Sequence, residues 1–194
     1  MNLKSFALIV ASVCMLSVNS FAQKKKAPKQ EEPQGYVFTT VVENPVTSIK
    51  NQSSTGTCWC FSALSFFESE IIKAGGPEVD LAEMFVVSHA YADKAEKYVR
   101  LHGVLNFGPG SSFGDALYVM KHYGMVPNSE MEGLNYGTDA HQHGEMDAVT
   151  DAYVKAVVKS PNRKLSTAWK KGFQGILDAY LGERPEKFVV DGKE

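Results

Sequence analysis

The chain has 194 residues, 44% of them hydrophobic, 11% aromatic and 22% charged, a composition that supports a packed core and excludes collagen, coiled coil and wholesale disorder. Twenty Lys and Arg against twenty-two Asp and Glu leave a formal net charge of −2, so there is no basic field to hold nucleic acid by counterion release. Three cysteines, Cys14, Cys58 and Cys60, are too few for a disulfide framework and lack zinc-site spacing, which leaves thiol chemistry open.

Residues 1–22 read as an export signal. Lys4 makes a positive start, Phe6 to Val18 is an apolar run, and Ser20-Phe21-Ala22 puts small residues where a signal peptidase reads, so cleavage is expected after Ala22. An uncleaved anchor would need ~20 apolar residues, more than this run offers. The mature protein is therefore expected to be periplasmic or secreted, without membrane association. Residues 23–35, mostly KKKAPKQEEPQG, hold no large apolar side chain and form a flexible leader.

The folded part, 36–194, begins with Tyr36 to Val42 (YVFTTVV), whose β-branched and aromatic residues predict a strand. The rest reads as helical. One helix starts near Cys58, with Leu64, Phe67 and Ile71 on one face and Trp59, Ala63 and Phe66 beside them, and stops at Gly75-Gly76. Asp80 and Glu83 have capping-box spacing, predicting a long helix from Leu81 to about Leu101. Val104 to Ser112 is a loop. Ser112 caps a helix from Phe113 to Tyr123, closed by Gly124, and Pro127 forbids its continuation. Asn128 to Gly144 is irregular. Helices follow at Glu145 to Lys159 and at Ser166 to Leu181. One strand cannot make a sheet, so Tyr36 to Val42 needs a partner from elsewhere.

The chemistry concentrates in Asn51 to Ser62, NQSSTGTCWCFS, where a polar, Gly-containing loop enters an aromatic helix at Cys58. A helix start offers unpaired backbone amides and the positive end of the dipole, both of which favour a nucleophilic thiolate over a thiol. Gln52, folding back, can aim its side-chain amide at the spot faced by the backbone amide of Cys58, as an oxyanion hole requires. Gly56 lets the chain turn between them. Cys60 should point sideways into the core as a small hydrophobe.

Glutamine, a six-residue step, then Cys-Trp, a small residue, Phe and Ser resembles the signature of the papain superfamily of cysteine peptidases. Asn51-Gln52 before the Ser-Gly loop, with Thr55 in place of an extra cysteine, is most similar to the bleomycin hydrolase and aminopeptidase C branch. The likeness continues through Leu81-Ala82-Glu83, His122 to Pro127 and Gly182 to Phe188, and so runs from roughly Tyr36 to the last residue. It implies an α+β papain-like fold, of which this chain holds mainly the helical domain bearing the nucleophile. It also implies peptide substrates, aminopeptidase action, no cofactor or metal, and a homo-oligomer. Cys58 and Gln52 become the catalytic candidates, with Trp59, Gly110 and Ser111 as substrate-binding candidates. Gly110-Ser111-Ser112 stands where the family presents a Gly-Gly pair against substrate backbone.

A papain-type thiol also needs a histidine and an Asn or Asp to orient it. The last histidine, His143, lies closer to Cys58 than the roughly 130–150 residues of the papain pattern. His89 and His122 are assigned to helices, His102 to a helix end, and His141 and His143 to a polar loop. His141 and His143 with Glu145 could hold a metal, but two alternating loop histidines lack a second shell. The chain alone is therefore expected to be inactive. Two other classes stay open: an exported, catalytically incomplete helical protein that binds peptides or a partner subunit, and a Cys58–Cys60 redox protein. The second conflicts with disulfide geometry inside a helix.

Overall fold

The structure, a computed structural model, describes residues 35–161 and 164–188; the export signal expected at 1–22 and nearly all of the leader expected at 23–35 lie outside them. Among the described residues there are five α-helices, α1 (Cys58–Lys73), α2 (Glu83–Arg100), α3 (Phe113–Tyr123), α4 (Gly144–Val158) and α5 (Ala168–Leu181), with a 3-10 turn at Asn128–Glu130. Among the described residues none is long and apolar enough to cross a membrane.

The predicted strand is not formed. Tyr36, Val37, Phe38, Val41 and Val42 are exposed in irregular backbone, and the only β pairings among the described residues are two isolated bridges, Ser54 with Gln142 and Leu81 with Pro127. Strand preference is mostly a preference for a half-buried pleated surface, and no neighbouring strand supplies one here.

Local capping explains α3. Asp115 Oδ2 accepts from Ser112 N at 3.0 Å and from Ser112 Oγ at 2.9 Å, and Gly124 closes the helix at φ 83°. The start of α2 departs from expectation. Ala82, not Asp80, precedes the first helical residue, because both backbone amides of the approach are engaged elsewhere: Ala82 N donates to Val126 O at 2.9 Å and Leu81 N to Glu68 Oε1 at 2.8 Å. Asp80 itself pairs with Lys50 and accepts from Asn128 Nδ2 at 3.2 Å.

Helix α2 packs against all four other helices and is the hub of the core. Its Tyr91 is fully buried and donates to Asp147 Oδ1 on α4 at 2.6 Å, so a polar tip deep in the core finds a partner. Leu64, Met84, Val86, Met146, Phe173 and Leu177 fill the space around it. Phe66, beside the buried face of α1, is left uncovered. It is 51% exposed and meets Phe67 and Phe113 in an aromatic group at centroid distances of 6.0 and 5.7 Å.

A second anchor is ionic. Glu68 on α1 is 0% exposed and accepts from Thr47 Oγ1 at 2.5 Å, from Leu81 N, and from Lys50 Nζ, which also reaches Asp80. Glu83 lies 3.6 Å from the same ammonium with Oε1 lacking a hydrogen bond, and burial pushes its carboxyl up to about 7. A carboxyl raised in this way binds its proton more tightly folded than unfolded. Its contribution is therefore full below about 4.5 and is lost as pH rises through about 7. Glu83→Gln should accordingly flatten the fall in urea midpoint between these pH values and gain about 1–3 kcal/mol at pH 8. A variant whose pH profile parallels the parent would remove that cost from Glu83.

Candidate active site

Cys58 is the first residue of α1, and its side chain is exposed. The following backbone amides belong to the helix, Cys60 N donating to Thr57 O at 2.8 Å, while Cys58 N–H, in the first turn, has no intrahelical acceptor. Cys60 is 0% exposed with its thiol directed at Glu83 O at 3.4 Å, and burial pushes that thiol well above its ordinary range. Two thiols two residues apart thus have opposite chemistry: one is accessible at a helix start and the other is a neutral core side chain.

The loop before Cys58 is closed on itself. Gln52 Nε2 donates to Thr55 O at 2.9 Å, Thr55 Oγ1 donates back to Gln52 O at 3.1 Å, and the Thr57 hydroxyl lies 2.7 Å from that of Thr55. Gln52 thus commits one amide hydrogen to the loop and keeps the other. Ser53 holds φ 50°, a conformation eased by Ser53 N donating to Asn51 Oδ1 at 2.8 Å.

Two outside contacts fix this loop. Ser54 N donates to His141 O at 3.0 Å and His143 N to Ser54 O at 3.1 Å, a parallel bridge to the segment that starts α4. On the other side Trp59 Nε1 donates to Pro109 O at 3.0 Å, and a Cβ on Gly56 would stand 2.6 Å from Pro109 Cγ. The Gly110 loop is therefore seated directly on the nucleophile loop. Lys94 of α2 holds it there, donating to Gly108 O at 2.6 Å and Gly110 O at 3.0 Å, while burial lowers the ammonium's pKa.

Of the substrate-binding candidates, Gly110 is exposed, Ser111 Oγ donates to Asp115 Oδ2 at 2.8 Å, and Trp59 is 7% exposed with its N–H spent on Pro109. Lys94 was not singled out from sequence, and His143 was weighed there only as a metal ligand or catalytic histidine, not for its backbone contact to Ser54. A lysine and a loop histidine carry no local signal of contacts made to residues far along the chain.

None of the five histidines is hydrogen-bonded to Cys58. His89 Nδ1 accepts from Arg184, His122 Nδ1 donates to Tyr118 O, and His141 Nδ1 accepts from Tyr136 Oη at 3.1 Å. His102 ends α2 at φ 52°. His143 is 0% exposed with both ring nitrogens unpartnered, and burial, then His141, pulls it down to about 4. Among the described residues no group of three His, Cys, Asp or Glu is arranged to hold a metal, so His141, His143 and Glu145 form no metal site.

The description "Papain family cysteine protease" matches residues 37–161. The chain belongs to the papain family of cysteine proteases. Cysteine proteinase 1, mitochondrial, of Saccharomyces cerevisiae is 25% identical over 139 residues, 63% of this chain and 28% of that protein. A cysteine proteinase of Trypanosoma brucei brucei is 29% identical over 112 residues, 55% of this chain and 25% of that one. The crystal structure of PepW from Lactobacillus rhamnosis HN001 matches with TM-score 0.55 and 18% identity over 80% of this chain and 42% of that chain, which shows the fold. The chain spans about a quarter of the length of these curated relatives. Papain-family membership and a helical domain bearing Cys58 agree with the architecture.

Two outcomes check this site. Iodoacetamide should alkylate Cys58 at least ~10-fold faster than Cys60 at pH 7, read by peptide mass, because only Cys58 is exposed. Comparable rates would contradict the assignment. Gly56→Ala should lower the urea-derived stability by about 1–3 kcal/mol, since its Cβ displaces Pro109. An unchanged midpoint would show that the two loops are not in tight contact.

Proposed function

We propose that the protein is a cysteine-type peptidase, aminopeptidase-like, which cleaves peptide bonds through a thioester on Cys58. The carrying observation is the exposed thiol of Cys58 at a helix start, in a loop braced on both sides, with its own N–H free of intrahelical acceptors. The Sγ–carbon bond forms as the carbonyl oxygen gathers charge, which Cys58 N–H and the second hydrogen of Gln52 Nε2 receive. The carbon–nitrogen bond then breaks, the amine leaves with a proton from a histidine, and water hydrolyses the thioester. Gly110 and Ser111 would line the substrate backbone. Aminopeptidase action follows the branch that the sequence resembles.

The histidine and its Asn or Asp partner would come from polypeptide outside these 194 residues, since four of the five histidines of the chain are engaged or buried elsewhere and His102 lies just past the end of α2. Export after cleavage at Ala22 rests on the apolar run from Phe6 and on Lys4. Peptide substrates and a homo-oligomer belong to the same reading. A catalytically incomplete protein that binds peptides or a partner subunit is the second reading, favoured by the exposed Phe66 and Phe113.

The test is turnover of aminoacyl fluorogenic substrates by the chain alone and by a longer polypeptide that supplies the histidine and Asn. The chain alone should be silent. The completed protein should turn over, lose all activity with Cys58→Ala, and lose roughly 10²–10³ in kcat with Gln52→Ala. Turnover that survives Cys58→Ala would overturn the reading, and a silent completed protein would favour the binding alternative.

A further inference from the structure

A cavity of about 320 Å³ opens between α2, the end of α3, α5 and the segment after it, and shares no lining residue with the Cys58 or Gly110 loops. Ala92, Trp169 and Phe173 give it apolar walls; Asp93, Tyr123 and Arg184 are its polar groups of interest. Of the other polar residues at its edge, Lys171 is exposed to solvent and the rest are largely matched. Lys170 reaches Glu96 at 3.0 Å, and Gln174 Nε2 donates to Asp178 Oδ1 at 2.6 Å.

Arg184 and Asp93 are not matched. Arg184 gives one hydrogen bond, from Nη1 to His89 Nδ1 at 2.8 Å, and no carboxylate among the described residues lies within ion-pair distance of it. Accepting at Nδ1 keeps His89 neutral, and its ring stacks on Tyr123 at 4.1 Å while Phe85 meets it edge-on at 4.6 Å. A neutral imidazole cannot compensate a guanidinium that stays charged at every accessible pH. Half-buried, with Asp178 and Asp93 attracting it only through space, Arg184 keeps donors that a planar anion would fill. Asp93 is the reverse case. Its Oδ1 accepts from Tyr123 Oη at 2.8 Å, while Oδ2 is buried with no donor.

One donor fork and one acceptor with unfilled hydrogen-bonding positions therefore face a small cavity that Ala92, Trp169 and Phe173 wall with apolar surface. A volume near the lower limit of ligand sites suits a single residue rather than a chain. We propose that this cavity binds a free α-amino acid with an apolar side chain, its carboxylate on Arg184, its ammonium on Asp93 and its side chain against Trp169 and Phe173. The site has no residue in common with the peptidase reading, and its failure would leave that reading intact.

Isothermal titration of the full chain with L-leucine, L-leucinamide, N-acetyl-L-leucine and inorganic phosphate tests this. Leucine should bind saturably at one site. Leucinamide, without the carboxylate, and N-acetylleucine, without the ammonium, should each bind about tenfold more weakly or worse, and phosphate should not compete. Arg184→Gln and Asp93→Asn should reproduce those two losses, while Cys58→Ala binds as the parent does. No saturable heat with leucine overturns the proposal, and so does leucinamide binding as tightly as leucine. Phosphate competing at leucine's own concentration would show an anion site only and would equally overturn it. The analogue series uses the unaltered chain, so a variant that fails to fold does not remove the test.

Discussion

Glu68 brings a negative charge to a fully buried position on α1, and two stretches of chain are placed by the need to neutralise it. Thr47 and Lys50 come from the segment before the nucleophile loop, and the amide of Leu81 comes from the approach to α2. A buried carboxylate without such partners would be driven to take up a proton or to leave the interior. The same contacts orient α1, fix where the loop of Gln52 begins and decide that α2 starts at Glu83. The exposed thiol at one end of α1 thus has its direction set by a charge buried toward the other.

From that frame the site is assembled by contacts between remote loops. Ser54 is bridged to His141 and His143 ahead of α4, and Trp59 carries Pro109 and Gly110 onto Gly56. Lys94 completes the support from α2. Each contact satisfies a backbone group that would otherwise be orphaned next to the thiol, so rigidity at Cys58 comes from hydrogen bonding of loops that contain little regular structure. Cys60 contributes by filling the core beneath them, which makes it inert.

Where a structural signal is local, it could be read from the sequence. The cap at Ser112 and the stop at Gly124 defined α3 to the residue, and the junction of loop and helix at Cys58 was visible because Gly56 and the aromatic run flank it. The helices after Gly144 and before Gly182 were placed within two residues for the same reason. Asp80 misled because a capping pattern was overridden by Lys50 and Asn128, neither of which is near it in sequence. Tyr36 to Val42 misled because β-branched residues describe a surface that needs a partner strand. Lys94, Glu68 and the bridge to His143 were hidden, since their partners lie 13 or more residues away and no spacing rule connects them.

The central claim is that Cys58 is a papain-family nucleophile and that its loop is prepared to receive a peptide carbonyl. A peptidyl electrophile that bonds covalently to such thiols, incubated with the chain and followed by peptide mapping, tests it most directly. The account predicts one label per chain, on Cys58 alone, slowed by Gln52→Ala and absent with Cys58→Ala. Labelling of Cys60, or labelling of Cys58 no faster by the peptidyl reagent than by iodoacetamide, would contradict it.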